Sequence, residues 1–286
     1  MVLVAGAGGA VGRHVIAACR AQGRPLRVLS RDAERLRTTV GVRPEDEVVA
    51  ADLTVPGSLD RVCDGVDVVI STVGAPLTFD LRARRSYMEV DFAGNARLLD
   101  AARAAGVSKF VYVSVWGARE LPDLEYTAAH ERFVDRLAAS GMSYAVVRPT
   151  GCYWVMLEVL RMAARGLGVV IGRGDARINP VHEADVAEVT AAAISGVDRE
   201  IGVGGPDIFT RRRIVELAFE VLQRKPRIVS VPPRVFSAMT ALARPVNRRV
   251  HAFLAFGAAV STREVVAPAV GRRDLRSYFA THAEGA

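Results

Sequence analysis

Gly6, Gly8, Gly9 and Gly12 follow directly on a short apolar run, and their spacing suits the grip of a phosphate group. Residues 1–5 (Met-Val-Leu-Val-Ala) read as a buried strand, and Arg13 to Cys19 as a helix. Gly6 permits a sharp turn off the strand. Gly8 and Gly9 let bare backbone approach a pyrophosphate, and Gly12 lets the helix lie close to the strand. Ala10 and Val11 carry the turn into the helix, whose first N–H groups and positive end suit an anion. The pattern is G-x-x-G-x-x-G with Gly8 added, in the strand–turn–helix setting that a dinucleotide fingerprint requires.

The next strand, Leu26 to Ser30, ends in Ser30-Arg31. An NAD site places an acidic residue here to accept from the ribose hydroxyls. In this chain Arg31 holds that place and Asp32 comes late. Arg31 and Arg13 together suit a 2′-phosphate. The expected cofactor is therefore NADPH (NADP).

These residues need elements to position them. Strands are expected at 46–51, 67–72, 109–115 and 144–147, alternating with helices over 87–105 and 126–139. Continuous apolar strands such as Val66-Asp67-Val68-Val69-Ile70 belong to a parallel sheet covered on both faces. The expected fold class is α/β, a Rossmann-type doubly wound parallel sheet with a smaller, mostly helical C-terminal substrate region. The expected division is 1–150 for an NADP-binding domain and 151–286 for the substrate side. In the latter, helices near 153–165, 183–195 and 210–224 alternate with strands near 168–172, 200–203 and 227–231, before a helical tail.

Bulk composition narrows the function classes. The chain has 286 residues, half of them apolar, enough for a substantial core. Cys19, Cys63 and Cys152 are odd in number and far apart, which fits a reducing compartment and no metal site. No charged leader precedes the first apolar run and no run is long enough to span a membrane, so a cytoplasmic enzyme is expected. The net charge is +7, and of 38 basic residues only Lys109 and Lys225 are lysines. The arginines read as scattered, with no aromatic interleaving, so nucleic acid is not an expected partner. The expected partner is a small carbonyl compound, with the protein a monomer or homodimer.

In order, the motifs are Gly6 to Gly12, Ser30-Arg31, Ala51-Asp52-Leu53-Thr54, Gly65 to Ser71, Val90 to Asn95, Lys109 to Ser114, Val147 to Gly151, Ile178 to His182, and Gly204-Gly205-Pro206. In this order the chain resembles the atypical or extended short-chain dehydrogenase/reductases, in the branch that includes NmrA-like proteins. The likeness spans about residues 1–210. It implies that Asp52 and Leu53 flank the adenine, that Thr72, Val73 and Gly74 line the path toward the nicotinamide, and that Pro149, Thr150 and Gly151 hold its carboxamide end.

The chain departs from that family at the catalytic pair. No tyrosine is followed four residues later by lysine. The nearest pattern is Tyr126-x-x-x-His130, on one helix face. Tyr126 as proton donor with His130 beside the cofactor, or both as structural residues, are the open readings. Ser114, ending the fifth strand, suits stabilisation of a developing alkoxide. Trp116, Tyr153, Trp154 and Met156 suit either an apolar substrate wall or the core. Asn95 is a candidate substrate contact or a polar residue facing its neighbouring helix. His182 either faces the cleft or caps the helix that holds Asp185. The expected function is NADPH-dependent reduction of a ketone to an alcohol on an apolar substrate of polycyclic or polyketide type. The alternatives are a non-catalytic NADP(H) sensor and an NAD(P)-dependent epimerase or isomerase.

Overall fold

Alternating short apolar strands and amphipathic helices build one seven-stranded parallel sheet. In the computed structural model, residues 1–39, 42–77, 82, 84–197, 199–245 and 247–285 are described. The strands are β1 (Val2–Ala5), β2 (Leu26–Ser30), β3 (Glu47–Ala50), β4 (Val68–Ser71), β5 (Lys109–Val113), β6 (Ser143–Pro149) and, later, β9 (Glu200–Val203). Their order across the sheet is β3-β2-β1-β4-β5-β6-β9. The order reverses between β1 and β4, and such a switch point opens a crevice at the carboxyl ends of the two strands. Ala5 pairs with Ser71 at that end. The Rossmann-type expectation holds.

The helices on the sheet are α1 (Ala10–Ala21), α2 (Ala33–Thr39), α3 (Asn95–Ala104) and α4 (Glu125–Ala138). The helix expected over 87–105 begins instead with a π-helical turn, Met88–Gly94, before α3. β1 and β4 are buried at every residue. Their side chains join a core of Leu3, Leu29, Val69, Leu98, Phe110 and Phe133.

The chain forms two compact units. The first comprises Met1–Pro76, Arg85–Arg148 and Val186–Ile201. The second comprises Leu77–Arg84, Pro149–Asp185 and Gly202–Ala286. In the second, α5 (Tyr153–Ala164) packs on α7 (Arg211–Val221) and α10 (Leu275–His282). β7 (Gly168–Ile171) pairs with β11 (Ile228–Val231), and β8 (Arg177–Ile178) with β10 (Phe209–Thr210). α6 (Glu183–Ala192) joins the units in sequence, and α8 (Pro233–Ala243) and α9 (Arg248–Ser261) form a helical pair. Among the described residues no helix is long and apolar enough to cross a membrane, and no cluster of His, Cys, Asp and Glu could hold a metal ion.

Candidate active site

The glycine turn leaves β1 as the sequence predicts. Gly6 has φ +82, a conformation that suits glycine alone. A Cβ there would lie 2.7 Å from the Thr72 hydroxyl oxygen. Gly8 and Gly9 are exposed, and a Cβ on Gly8 would meet only the Leu36 side chain, at 3.8 Å. Gly9 caps α1 with extended backbone and no side-chain cap, and the first turn of α1 carries no acidic residue. The N–H groups of that turn, which include those of Ala10, Val11 and Gly12, have no intrahelical acceptor. Bare backbone, free donors and the positive helix end together fit a pyrophosphate.

Arg13 and Arg31 are both exposed, and neither forms an ion pair among the described residues. They are thus available to an anionic group. Asp32, in contrast, is engaged locally: its carboxylate accepts from the Arg35 backbone N–H at 2.9 Å, at the start of α2. Ser30 closes the same turn, with its hydroxyl accepting from the Asp32 N–H at 3.2 Å. Asp52 accepts from the Thr54 N–H and hydroxyl and from Arg85. Burial pushes its carboxyl up, but these donors outweigh it and hold the pKa at about 2. Leu53, beside it, is buried.

At the switch point, the Thr72 hydroxyl lies 3.2 Å from the carbonyls of both Ala5 and Gly6. The segment that follows is held from below. Asn95 donates to the Val73 carbonyl, and its Oδ1 accepts from Ser71. Asp91 accepts from the Ala75 N–H at 3.0 Å. A Cβ on Gly74 would stand 3.2 Å from the other Asp91 carboxylate oxygen. Asn95 is fully buried with both amide atoms engaged. Here it positions the Thr72–Ala75 segment and offers no surface to a substrate. Asp91 was missed in sequence because an acidic residue in a helical stretch reads as solvated, whereas the π-helical turn carries it inward.

Tyr126 and His130 share one helix face, as their spacing requires, with rings edge-to-face at 4.7 Å. Both are interior: 8% and 4% of their surfaces are exposed. Tyr126 also packs edge-on against Tyr87. The Tyr112 hydroxyl lies 2.6 Å from His130 Nδ1. Burial and the Asp91 charge push the Tyr112 pKa well up, so its hydroxyl keeps its proton. His130 Nε2 lies 3.2 Å from Asp91 Oδ1 but off the angle of a hydrogen bond. The imidazole that could replace the missing lysine is spent inside the protein.

Ser114 lies just past β5, 3% exposed, with its N–H bonded to the Val147 carbonyl. Its Oγ accepts a long, 3.4 Å hydrogen bond from Arg148. Arg148 is itself buried and bound to Glu131 and Glu200. Burial opposes the guanidinium charge, but the two carboxylates outweigh it and raise the pKa. Among the described residues the Ser114 hydroxyl has no hydrogen-bond acceptor, which leaves its proton to donate. Trp116, two residues on, is half-buried.

In the second unit, Pro149, Thr150 and Gly151 continue from β6. The Thr150 hydroxyl donates to the Asn179 carbonyl at 2.5 Å, and the Gly151 carbonyl accepts from the Val181 N–H. A Cβ on Gly151 would lie 2.9 Å from the end of Met156. Tyr153 and Met156 are core residues, not an open wall. The Tyr153 hydroxyl donates to the Arg273 carbonyl at 2.6 Å. Trp154 stays half-buried, and its N–H donates to the buried Glu183. His182 takes the capping reading: its Nδ1 accepts from the Ala184 N–H at 3.0 Å. Asn179 and Gly204-Gly205 prove to be one structural knot. Asn179 is 1% exposed and pairs with both backbone groups of Ala267. A Cβ on Gly204 would stand 2.1 Å from its amide nitrogen.

Residues 6–196 match the model of the family described as NAD(P)H-binding. The chain is 34% identical to the (4-alkanoyl-5-oxo-2,5-dihydrofuran-3-yl)methyl phosphate reductase of Streptomyces griseus, covering 99% of this chain and 98% of that one. It is 30% identical to the ceramide reductase of Caulobacter vibrioides, over 83% and 76% of the two chains. The fold is similar to that of an NADPH-dependent quinone oxidoreductase of Escherichia coli, with a TM-score of 0.74 at 18% identity, over 98% and 99% of the chains. The chain belongs to the NAD(P)H-binding family, as an atypical short-chain dehydrogenase/reductase. It is an NAD(P)H-dependent reductase of that family.

Proposed function

We propose that the protein reduces a carbonyl group of an apolar substrate with NADPH, ketone to alcohol. When bound, the cofactor supplies a hydride. The Gly6–Gly12 turn and the N-terminus of α1 hold its pyrophosphate, and Arg13 and Arg31 hold its 2′-phosphate. Thr72, Val73 and Gly74 line its path, with residues 1–150 serving the cofactor and 151–286 the substrate. Polycyclic and polyketide ketones are the substrate class of choice.

The observation that carries this reading is Ser114 backed by Arg148. A hydroxyl whose oxygen accepts from a guanidinium is a better donor toward a developing alkoxide. The carbonyl carbon takes the hydride, and the oxygen takes its proton from Ser114, water or an acidic hydroxyl of the substrate. Tyr126 and His130 are less suited, because no lysine stands four residues after Tyr126 to activate it and His130 Nδ1 is engaged with the Tyr112 hydroxyl.

A second reading has its own support. The name of the Streptomyces griseus relative describes an unsaturated ring conjugated to a carbonyl. For such a compound the hydride goes to the carbon β to the carbonyl, and water can protonate the resulting enolate, so no strong protein acid is needed. The deciding experiment supplies NADPH deuterated at C4 with matched saturated ketones and unsaturated lactones. Deuterium on the carbinol carbon supports the first reading, and deuterium on the β-carbon supports the second. Tight cofactor binding with no NADPH oxidation across the panel would make the protein a sensor instead.

A further inference from the structure

The basic residues are scattered, but the excess of positive over negative charge lies in one stretch. Residues 221–263 carry eight basic side chains and no Asp or Glu. Outside that stretch the chain has 30 basic and 31 acidic residues. The whole net charge of +7 therefore resides on β11, α8, α9 and their flanks.

Helix α8 lies in this stretch and is apolar on a face that no described residue of its unit covers. Val235, Met239 and Leu242 recur at i, i+4 and i+7, the spacing of one helix face. They are 50%, 57% and 74% exposed. The opposite face is the packed one. Pro233, Ser237, Thr240 and Ala241 line a groove of about 390 Å³ against α9. His251 Nδ1 of α9 stands 2.9 Å from the Thr240 carbonyl. Arg234, Arg244 and Arg248 are exposed around the ends of α8, and none forms an ion pair among the described residues.

We propose that α8 docks this protein on an anionic phospholipid bilayer. Val235, Met239 and Leu242 enter the boundary between headgroups and acyl chains, and Arg234, Arg244 and Arg248 meet lipid phosphates. Two features single out a lipid surface. The apolar stripe is too narrow for a large protein interface, yet it matches the shallow insertion of an interfacial helix. The surrounding charge is of one sign over 43 residues, and it complements the negative potential of anionic lipid. Arginine stems also lie along apolar surface while their heads stay in water. The helix lies on the bilayer and does not cross it. The proposal is independent of the reaction catalysed.

The test is co-sedimentation of the full chain with vesicles of phosphatidylcholine alone and of an equal mixture with phosphatidylglycerol. The protein is expected to bind the mixed vesicles, to bind the neutral ones weakly, and to be released by high salt. Met239→Ser with Leu242→Ser should lower the partition coefficient at least about tenfold. Arg244→Gln and Arg248→Gln should each lower it about fivefold. Circular dichroism and NADPH binding check that the variants are folded. Absence of binding to the mixed vesicles overturns the proposal. So does a partition that the serine pair leaves unchanged, since that describes a general polyanion site. A dimer that Leu242→Ser dissociates, without vesicle binding, overturns it in favour of a contact between two copies.

Discussion

A Cβ on Gly12 would stand 2.1 Å from the carbonyl oxygen of Gly6. The first turn of α1 thus rests on the backbone at the exit of β1, and nothing larger than hydrogen fits between them. At Gly8, two residues past Gly6, a Cβ would make only an ordinary 3.8 Å contact with the Leu36 side chain. The two glycines serve different ends. Gly12→Ala is expected to destabilise the fold outright, because both clashing groups are backbone. Gly8→Val should fold with a near-normal thermal midpoint and lose NADPH binding, since its side chain would occupy the phosphate approach. Unchanged NADPH affinity in folded Gly8→Val would remove the phosphate from this turn.

Arg31→Ala should weaken NADPH binding by about 1.5–3 kcal/mol, the scale of a charge-assisted hydrogen bond. NADH binding should barely change, because NADH lacks the 2′-phosphate. Calorimetry with both cofactors checks this, and equal losses for the two would contradict the assignment.

His130→Ala should cost about 1–3 kcal/mol of stability in denaturant titration, because it strands the buried Tyr112 hydroxyl and removes the imidazole that lies 3.2 Å from Asp91. Asp91 also bonds Ala75 beyond β4, so a rise in the NADPH dissociation constant should accompany the loss. A variant of native stability that fails only in turnover would return His130 to direct catalysis.

Ser114→Ala should slow single-turnover NADPH oxidation by about a hundredfold or more, the scale of losing one oxyanion donor. Tyr126→Phe should retain much of the rate, because no lysine stands four residues on to activate that hydroxyl. Conjugate reduction would leave both variants active. A Tyr126→Phe enzyme slowed about a thousandfold with intact cofactor affinity would restore tyrosine as the acid, since general acids supply up to about 10⁴-fold.

Asp52 sets an acid limb of stability. Its folded pKa of about 2 lies below the value of about 3.9 expected in the unfolded chain. Its contribution is therefore complete above about pH 4 and is lost as pH falls toward 2. Asp52→Asn should lower the thermal midpoint at neutral pH, and the gap from the parent should close between pH 4 and 2. A gap that stays constant over that range would show that ionisation of Asp52 does not support the fold.

The sequence by itself determined the parts of this protein that are local. A glycine turn between a buried strand and a helix is dictated by spacing, and β2 appears over Leu26–Ser30 as expected because period and turn signals are short-range properties. The class of cofactor, NAD(P)H, was legible for the same reason: a glycine turn into a helix N-terminus is a local pattern suited to a phosphate. Side chains whose roles depend on distant neighbours were decided only by tertiary structure. Asn95, Tyr153 and His182 are polar or aromatic residues that read equally as ligand contacts or as interior. The neighbours that settle them are Ser71 for Asn95, the Arg273 carbonyl for Tyr153 and the Ala184 N–H for His182. Asp91 was hidden because a π-helical turn shifts the face that points inward, and no periodicity of 3.6 reveals that shift. The bond between Ser114 and Arg148 joins the ends of two strands 34 residues apart, so only the pairing of β5 with β6 could bring the hydroxyl and its guanidinium together.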